Sequence, residues 1–400
     1  MKHDSIWKNK DFLLLWAGNS LSKLTFVVFT FLLPIIIYEQ TKSPFAMSLM
    51  RIIQVLPNVL LGLVIGILID RSEKKVIMQT SVVIQILCVL LISAIINSDF
   101  SLWMLYLLSF ILFSVSYLYG NAYYTVLPRI VSKDKLINSN SLINFVGTII
   151  RISGPNFAGF VILMIGSQYS LFITALGLFI LFTVIYFCKI PKNTIKDPNE
   201  LNIIQEIKEG ISFLFKKKSL WYFTIVMCIM NVANALVGSI LVFHSLDYLG
   251  VSITQLGIVL ASSGIGAIFG PLTISYIKKV IGKLGIILLL AIFISLLGNV
   301  ILFLSNNWLL VCVGMFIIGY SLSLISIFYH TLRQSETPEE LLGRVTGTSS
   351  MIMKTLIPLS FFVGGMLGEM IQTNYIFMIS SLLLFIIILY TFYKKIYSIN

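Results

Sequence analysis

The strongest constraint on this chain is a series of long apolar runs. We count twelve, and about 20 apolar residues are enough for a helix to cross the roughly 30 Å hydrocarbon core of a bilayer. Of the 400 residues, 58% are hydrophobic and 11% are charged, whereas soluble domains average about 45–50% and 25%. The sequence therefore predicts an all-α membrane protein with twelve transmembrane helices, near residues 12–37, 46–68, 76–96, 102–126, 141–165, 169–188, 221–244, 254–276, 284–304, 308–329, 346–368 and 374–393.

The basic residues predict the orientation of these helices. If the N-terminus is cytoplasmic, 23 of the 28 Lys and Arg residues lie on the inside and one, Lys42, lies outside. Cytoplasmic loops of membrane proteins are enriched in Lys and Arg. We therefore expect a multi-pass protein of the cell membrane with both termini in the cytoplasm. The same pattern explains the net charge of +12 without a nucleic-acid partner, which would need basic residues gathered on one exposed face.

The longest cytoplasmic stretch divides the chain into two halves of six helices. We expect an N-terminal bundle over residues 1–188, a linker over 189–220 and a C-terminal bundle over 221–400. Within the linker, apolar residues at 204, 207, 211, 214 and 215 share one helical face. This face predicts an amphipathic helix, either a connector on the inner leaflet or a partner-binding helix.

The two halves resemble each other in sequence. Residues 127–155 align with residues 332–358 at an offset of about 203, which places Arg151 on Lys354 and Pro155 on Pro358. We interpret the halves as repeats related by a pseudo-two-fold axis along the membrane normal. This symmetry would bring the two basic residues to opposite walls of a central cavity.

Four basic residues fall within predicted spans, whereas no acidic residue lies deep in one. A charge at the bilayer centre is costly, so by default it faces a polar cavity or finds a partner. Alternatively, Arg151 and Lys354 could bond to carbonyl groups that Pro155 and Pro358 free. Arg51 has two interpretations, an ion pair with Glu39 or an outer gate. We expect substrate contacts from residues in or beside the cavity: Lys23, Arg151, Lys354, Asn231 and Asn234.

No constellation of residues predicts catalysis. The four cysteines lie in apolar segments without metal-ligand or disulfide spacing, and phosphate-binding and hydrolase motifs are absent from the sequence. His244 and His330 are predicted on opposite sides of the membrane. We therefore expect a protein that is not an enzyme and needs no cofactor beyond a proton or other ion gradient.

A motif between the second and third spans connects the chain to a known family. Residues 62–75 read GLVIGILIDRSEKK, where a glycine permits close helix contact and an aspartate can cap a neighbouring helix. With six plus six spans, this motif resembles the signature of the major facilitator superfamily. The resemblance implies gating roles for Gly66, Asp70, Arg71, Lys74 and Lys75.

Further stretches are similar to the macrolide-efflux-like branch of that family. They are WKNKDFLLLWAGNSLS at the N-terminus, LPNVLLGLVIGILIDR in the second span, IKEGISFLF in the linker and LLGRVTG before the eleventh span. In addition, SGPNFAG resembles the Gly-Pro motif of family antiporters, which implies a conformational role for Gly154 and Pro155, with a kink and close packing.

The resemblance implies a secondary transporter that works by alternating access, and we expect it to be a monomer. We expect it to export an amphiphilic small molecule such as a drug, an antibiotic or a siderophore-like metabolite, and the basic cavity favours an anionic group. Two alternatives stay open, a translocator of lysophospholipids and a membrane sensor that does not transport.

One departure from the family bears on energy coupling. Related exporters often carry an arginine midway along the fourth span, where this chain has Leu112. Without that arginine or a buried acid, the candidates for proton coupling are Lys23, Lys354, and His244 near Asp247. Transport driven by the membrane potential or by exchange is the alternative.

Overall fold

A computed structural model of the chain describes residues 7, 9–62, 65, 68–69, 72–96, 101–132, 135–191 and 203–394. Within these ranges the secondary structure is helical, and no residue lies in a β-strand. Three residues of the predicted gating motif, Gly66, Asp70 and Arg71, lie outside the described residues.

Six helices correspond to the first six predicted spans. Leu136–Phe187 is one helical run that bends at Gly166, where a φ of 79° favours glycine, and it contains two spans. The helices are α1 (Lys10–Thr41), α2 (Pro44–Leu60), α3 (Lys74–Ile95), α4 (Leu102–Ile130), α5 (Asn138–Ser167) and α6 (Tyr169–Phe187).

Eight further α-helices follow among the described residues, and the first of them is not a membrane span. Eleven helical segments of the described chain are long and apolar enough to cross a membrane, and the shorter α2 matches the second predicted span. The helices are α7 (Ile203–Lys216), α8 (Lys218–Phe243), α9 (Ile253–Ile281), α10 (Leu284–Phe303), α11 (Trp308–Glu336), α12 (Glu339–Thr355), α13 (Ile357–Met370) and α14 (Thr373–Tyr393). Of these, α12 and α13 together form one span, Leu341–Met370.

Contacts group the chain into two units. Unit 1 comprises Met1–Gln40 and Ile53–Glu200, and unit 2 comprises Thr41–Ile52 and Leu201–Asn400. The first part of α2 therefore clusters with unit 2, although it precedes most of unit 1 in sequence.

In unit 1, small residues let α6 approach α1 closely. A Cβ atom at Gly18 would lie 3.1 Å from Val184, and a Cβ at Gly177 would overlap Thr25. The Thr174 hydroxyl donates to the carbonyl oxygen of Thr25 at 2.9 Å. Membrane helices gain little from the hydrophobic effect against lipid, so close packing and interhelical hydrogen bonds hold them together.

In unit 2, α9 and α11 make the tightest contact. A Cβ atom at Gly266 would overlap the carbonyl oxygen of Phe316, and one at Gly319 would overlap the main chain of Ser263. Glycine at these two positions is therefore required by the close approach of the two backbones.

The first residues of α2 are held within unit 2 by polar contacts. Glu369, at the end of α13, accepts hydrogen bonds from the Phe45 amide at 3.2 Å and from the Ser43 hydroxyl. The Ser48 hydroxyl donates to the carbonyl oxygen of Ser239 on α8 at 3.1 Å. A carboxylate at a helix N-terminus is favourable because the free amide groups there carry partial positive charge.

The predicted amphipathic helix in the linker is α7, and its partner is unit 2 itself. Leu214 is fully buried in the core of that unit. Glu209 forms an ion pair with Arg344 on α12, and Gly210 lies directly against Arg344 and Thr348. Part of the apolar face thus packs on the chain's own helices.

The contact between α9 and α11 leads to a stability prediction. We expect Gly319→Ala to destabilise the protein by about 1–3 kcal/mol, because the new methyl group forces the two backbones apart. Gly343→Ala is the matched control, since its methyl group meets no atom within 4 Å and alanine favours a helix. Melting temperatures in one detergent measure both, and equal values for the two variants would contradict the prediction.

Candidate functional site

Three of the predicted cavity residues are exposed cations on membrane helices. Lys23 lies on α1, Arg151 on α5 and Lys354 on α12. None of the three side chains makes a hydrogen bond or an ion pair with any residue that the structure describes. Their location on each helix therefore decides whether they face lipid or a polar space.

On α1, Lys23 lies away from the side that is rich in exposed leucine. With about 100° per residue, its direction differs from those of Leu14 and Leu21 by about 160–180°. Those leucines are 48% and 40% exposed, as expected for a face against lipid. The stripe that carries Lys23 consists of Trp16, Ser20, Lys23, Val27 and Thr30.

On α5, Arg151 belongs to a comparable stripe. Residues 144, 148, 151 and 155 follow one another at helical spacing and include Asn144 and Thr148. Five of the six large exposed apolar side chains of α5 point about 120–180° away from Arg151, and they are Phe145, Ile149, Phe160, Leu163 and Met164. The sixth, Ile165, lies about four turns further along the helix. Arg151 therefore does not belong to the apolar face of its helix.

Lys23 and Arg151 lie at one level on neighbouring helices of unit 1. A Cβ atom at Gly154 would be 3.0 Å from Val27, so α1 and α5 touch there. Both helices run in the same direction across the membrane, because successive spans alternate. Lys23 precedes Val27 by four residues and Arg151 precedes Gly154 by three, so both lie about one helical turn from the contact, on its N-terminal side.

In unit 2, the exposed side of α12 is also unlike a lipid-facing surface. Lys354 follows Gly343, Gly347 and Ser350 at helical spacing. Among the described side chains of α12, Met351 is the one large apolar group that is exposed. By contrast, the exposed side of α10 consists of large apolar groups, which are Leu290, Phe293 and Leu297.

The helix break beside Lys354 is stabilised by side chains of α8. The Asn231 amide donates to the carbonyl oxygen of Met353 at 3.0 Å, and the Cys228 thiol donates to that of Ile352 at 3.5 Å. These contacts satisfy carbonyl groups next to the break, and Lys354 makes no such bond. Asn231 therefore braces the backbone beside Lys354, whereas the Asn234 amide bonds to Met230 within its own helix at 2.8 Å.

The corresponding proline in unit 1 has a different effect. The helix continues through Pro155, and its one non-helical residue is Gly166. The helix is uninterrupted at Pro155, and the kink that the sequence predicts there stays a prediction. Gly154 does allow the expected close packing, through its contact with Val27.

The described basic residues of the predicted gating motif hold helix ends within unit 1. The Lys75 ammonium group donates to the carbonyl oxygens of Tyr186 at 2.8 Å and Cys188 at 2.9 Å, and that of Lys74 donates to the carbonyl oxygen of Ile69 at 3.2 Å.

The Cys188 thiol lies beside the Asp11 carboxylate. Burial, followed by this carboxylate, raises the pKa of the thiol to about 12. This cysteine is therefore neutral at physiological pH.

The remaining predicted residues lie in unit 2. His244 is fully buried on a single π-helical turn, His244–Tyr248. Its Nδ1 atom shares a hydrogen bond with the Thr373 hydroxyl at 2.6 Å, and not with Asp247. Arg51 is half-buried on the part of α2 that belongs to this unit.

Sequence reasoning missed Arg333, which it placed in a cytoplasmic loop. The helix α11 continues to Glu336, past the predicted end at residue 329, and Arg333 is 5% exposed in its last turn. Its guanidinium donates to Ser349 at 3.1 Å and to Nδ1 of His330 at 2.9 Å, and it lies 5.3 Å from the Tyr329 ring centre. The helical spacing of Tyr329 and Arg333 was the available signal.

Comparison with known proteins identifies the fold and the relatives. Residues 15–360 and 236–397 match the family model for the Major Facilitator Superfamily. Macrolide efflux protein A of Streptococcus pyogenes is 23% identical over 387 residues, which cover 94% of this chain and 94% of that protein. The enterobactin exporter EntS of Shigella dysenteriae serotype 1 is 22% identical over 220 residues, or 55% of this chain and 52% of that protein.

Solved structures share the architecture at low sequence identity. The nucleoside transporter NupG superposes with a TM-score of 0.76 at 15% identity, covering 98% of this chain and 100% of that one. A bacterial homologue of the iron transporter ferroportin gives 0.74 at 15% identity, with 98% and 100% covered. At such identities the likeness concerns the fold alone, and it confirms the twelve-helix, two-bundle fold predicted from the sequence.

The brace between α8 and α12 leads to a second prediction. We expect Asn231→Ala to lower the free energy of unfolding by about 1–3 kcal/mol, because it leaves the Met353 carbonyl group without its donor. Asn234→Ala is the matched control, since the one hydrogen bond of that amide to a described residue lies within its own helix. Thermal melts of both variants test this, and a larger loss from Asn234→Ala would contradict it.

Proposed function

The chain belongs to the Major Facilitator Superfamily, and we propose that it exports an amphiphilic anion across the cell membrane by alternating access. It is a multi-pass membrane transporter. Export is supported by the names of two relatives, a macrolide efflux protein and an enterobactin exporter. We further propose that both termini are cytoplasmic, on the basis of the Lys and Arg distribution.

The proposal of an anionic substrate rests on three cationic side chains that bond to no described residue. Lys23, Arg151 and Lys354 lie on the polar or small-residue sides of their helices, and no described carboxylate or carbonyl group bonds to them. In each unit the missing negative charge would arrive with the substrate. A hydrogen bond to a charged group contributes about 1.5–3 kcal/mol, so such cations favour an anion over a lipophilic cation.

Energy coupling is proposed to involve a lysine. The acidic residues that the structure describes in the spans lie near helix ends, namely Asp11, Glu39, Asp247, Glu336 and Glu369. His244 is buried and bonded to Thr373, which leaves Lys23 and Lys354 as exposed groups able to exchange a proton.

A binding prediction follows for Arg151. We expect Arg151→Gln to weaken binding of the exported anion by about tenfold or more, at 1.4 kcal/mol per decade. Arg129→Gln is the control, because Arg129 is an exposed arginine in the last turn of α4. Affinity and melting temperature are measured on the same samples. A lower melting temperature with unchanged affinity would make Arg151 a structural residue and remove the argument for an anion.

A transport prediction follows for the two lysines. Arginine keeps the charge but does not release a proton in the working pH range. In proteoliposomes, at least one of Lys23→Arg and Lys354→Arg should therefore reduce transport driven by a pH gradient by about tenfold while binding is retained. Lys283→Arg, in an exposed loop, is the control. Full pH-driven transport in both variants would exclude lysine coupling, and movement of lysophospholipid alone would favour the lipid-translocator alternative.

A further inference from the structure

A row of aromatic side chains follows one side of α4 in unit 1. Phe113, Tyr117 and Tyr124 lie at helical spacing, with Gly120 between the two tyrosines. Phe113 and Tyr117 are half-buried, and Tyr124 is 51% exposed. The average direction of this aromatic row differs by about 115° from that of the exposed apolar residues of α4, which are Trp103, Met104, Leu107 and Ile111. The row therefore does not belong to the lipid-facing side.

Two contacts fix the aromatic row beside Lys23. At one end, the rings of Phe26 and Phe113 meet edge to face at a centroid distance of 5.9 Å. At the other end, the Tyr119 hydroxyl donates to the Asn19 side chain at 3.2 Å. Because Lys23 lies between Asn19 and Phe26 on α1, it is level with the part of α4 that carries Tyr117.

A buried phenylalanine packs against the rings at one end of the aromatic row, and open space adjoins the glycines of α4 and α5 near the row and Arg151. Phe29 is fully buried, and its ring lies 5.6 Å from that of Phe26 and 6.1 Å from that of Phe113. A Cβ atom at Gly120 would meet no atom within 4 Å, and the same holds at Gly147, one turn before Arg151. Open space thus borders both the aromatic row and the stripe that carries Arg151.

We propose that these side chains form a site for an aromatic anion. This inference rests on the proposed function and narrows its substrate class. A carboxylate, sulfonate or phosphate group binds Lys23 and Arg151, whose donors suit such oxygens. A planar ring system packs against Phe113 and Tyr117, where offset or edge-to-face contacts favour aromatic over saturated groups. The two cations disfavour an aromatic ammonium compound of the same size.

The test compares three probes that differ in one property each. They are 2-naphthoate, its saturated analogue decahydro-2-naphthoate, and 2-naphthylmethylammonium. Binding to the purified full-length protein is measured by calorimetry. We expect 2-naphthoate to bind about tenfold more tightly than the saturated acid, and the ammonium compound to bind more weakly than either.

Variants assign the two parts of the preference. Tyr117→Leu should weaken 2-naphthoate about tenfold and leave the saturated acid within about twofold, whereas Arg151→Gln should weaken both acids. Phe160→Leu, on the apolar side of α5, is the matched control and should change neither affinity. Melting temperatures confirm folding, and Tyr124→Leu replaces Tyr117→Leu if the latter does not fold. Equal affinity for the two acids, or equal losses for both with Tyr117→Leu, would overturn the proposal.

A transport arm separates this inference from the proposed function. If the protein exports some other amphiphile from vesicles but does not bind 2-naphthoate, the aromatic-anion site is wrong and export stands. If 2-naphthoate binds with the expected variant pattern but no amphiphile moves across the vesicle membrane, the site stands and the export proposal is wrong.

Discussion

A charged side chain in hydrocarbon costs from about 2.5 to more than 10 kcal/mol, depending on how the cost is measured, and much of this structure reflects that cost. Lys23, Arg151 and Lys354 lie on helices that belong to membrane spans. On α1 and α5 most of the large exposed apolar residues point to another side, and on α12 Met351 is the one described residue of this kind. These cations therefore lie on polar or glycine-containing stripes. The polar and small residues that precede or follow each cation on its helix thus determine where a charge can be tolerated.

Close helix packing makes this division of faces possible. Each helix has to satisfy its own backbone in lipid, so variation between helices is confined to their side chains. Glycine and hydroxyl residues bring α1 against α5 and α6, and α9 against α11, at distances that larger side chains would prevent. Once one side is used for such a contact and another for lipid, the remaining side of α1, α4 or α5 is free for polar and aromatic groups.

The fold was predictable because hydropathy identifies the membrane-spanning helices and the Lys/Arg distribution gives their orientation. Neither signal depends on tertiary contacts. The exposed cations could also be identified from the sequence, because a charged residue within an apolar span is energetically costly and therefore rare. Roles that depend on tertiary partners could not. Nothing in the local pattern shows that Asn231 bonds to Met353, that His244 is enclosed beside Thr373, or that α11 continues far enough to bury Arg333. The association of residues 41–52 with unit 2 depends on Glu369 and Ser239, which are distant in sequence.

The two halves repeat a cation and a proline in sequence, but the helices that carry them differ in structure. In α5 the proline lies within a continuous helix, where it removes one backbone hydrogen bond from the middle of the run. In unit 2 the helix ends at Thr355 and restarts at Ile357, so Pro358 falls in the first turn of α13, where no amide donor is needed. The Asn231 and Cys228 side chains of α8 then satisfy carbonyl groups at the end of α12. Arg151 is therefore carried by an unbroken helix and Lys354 by the end of a short one, so equal charges in the two halves do not imply equal mobility or equal roles in binding.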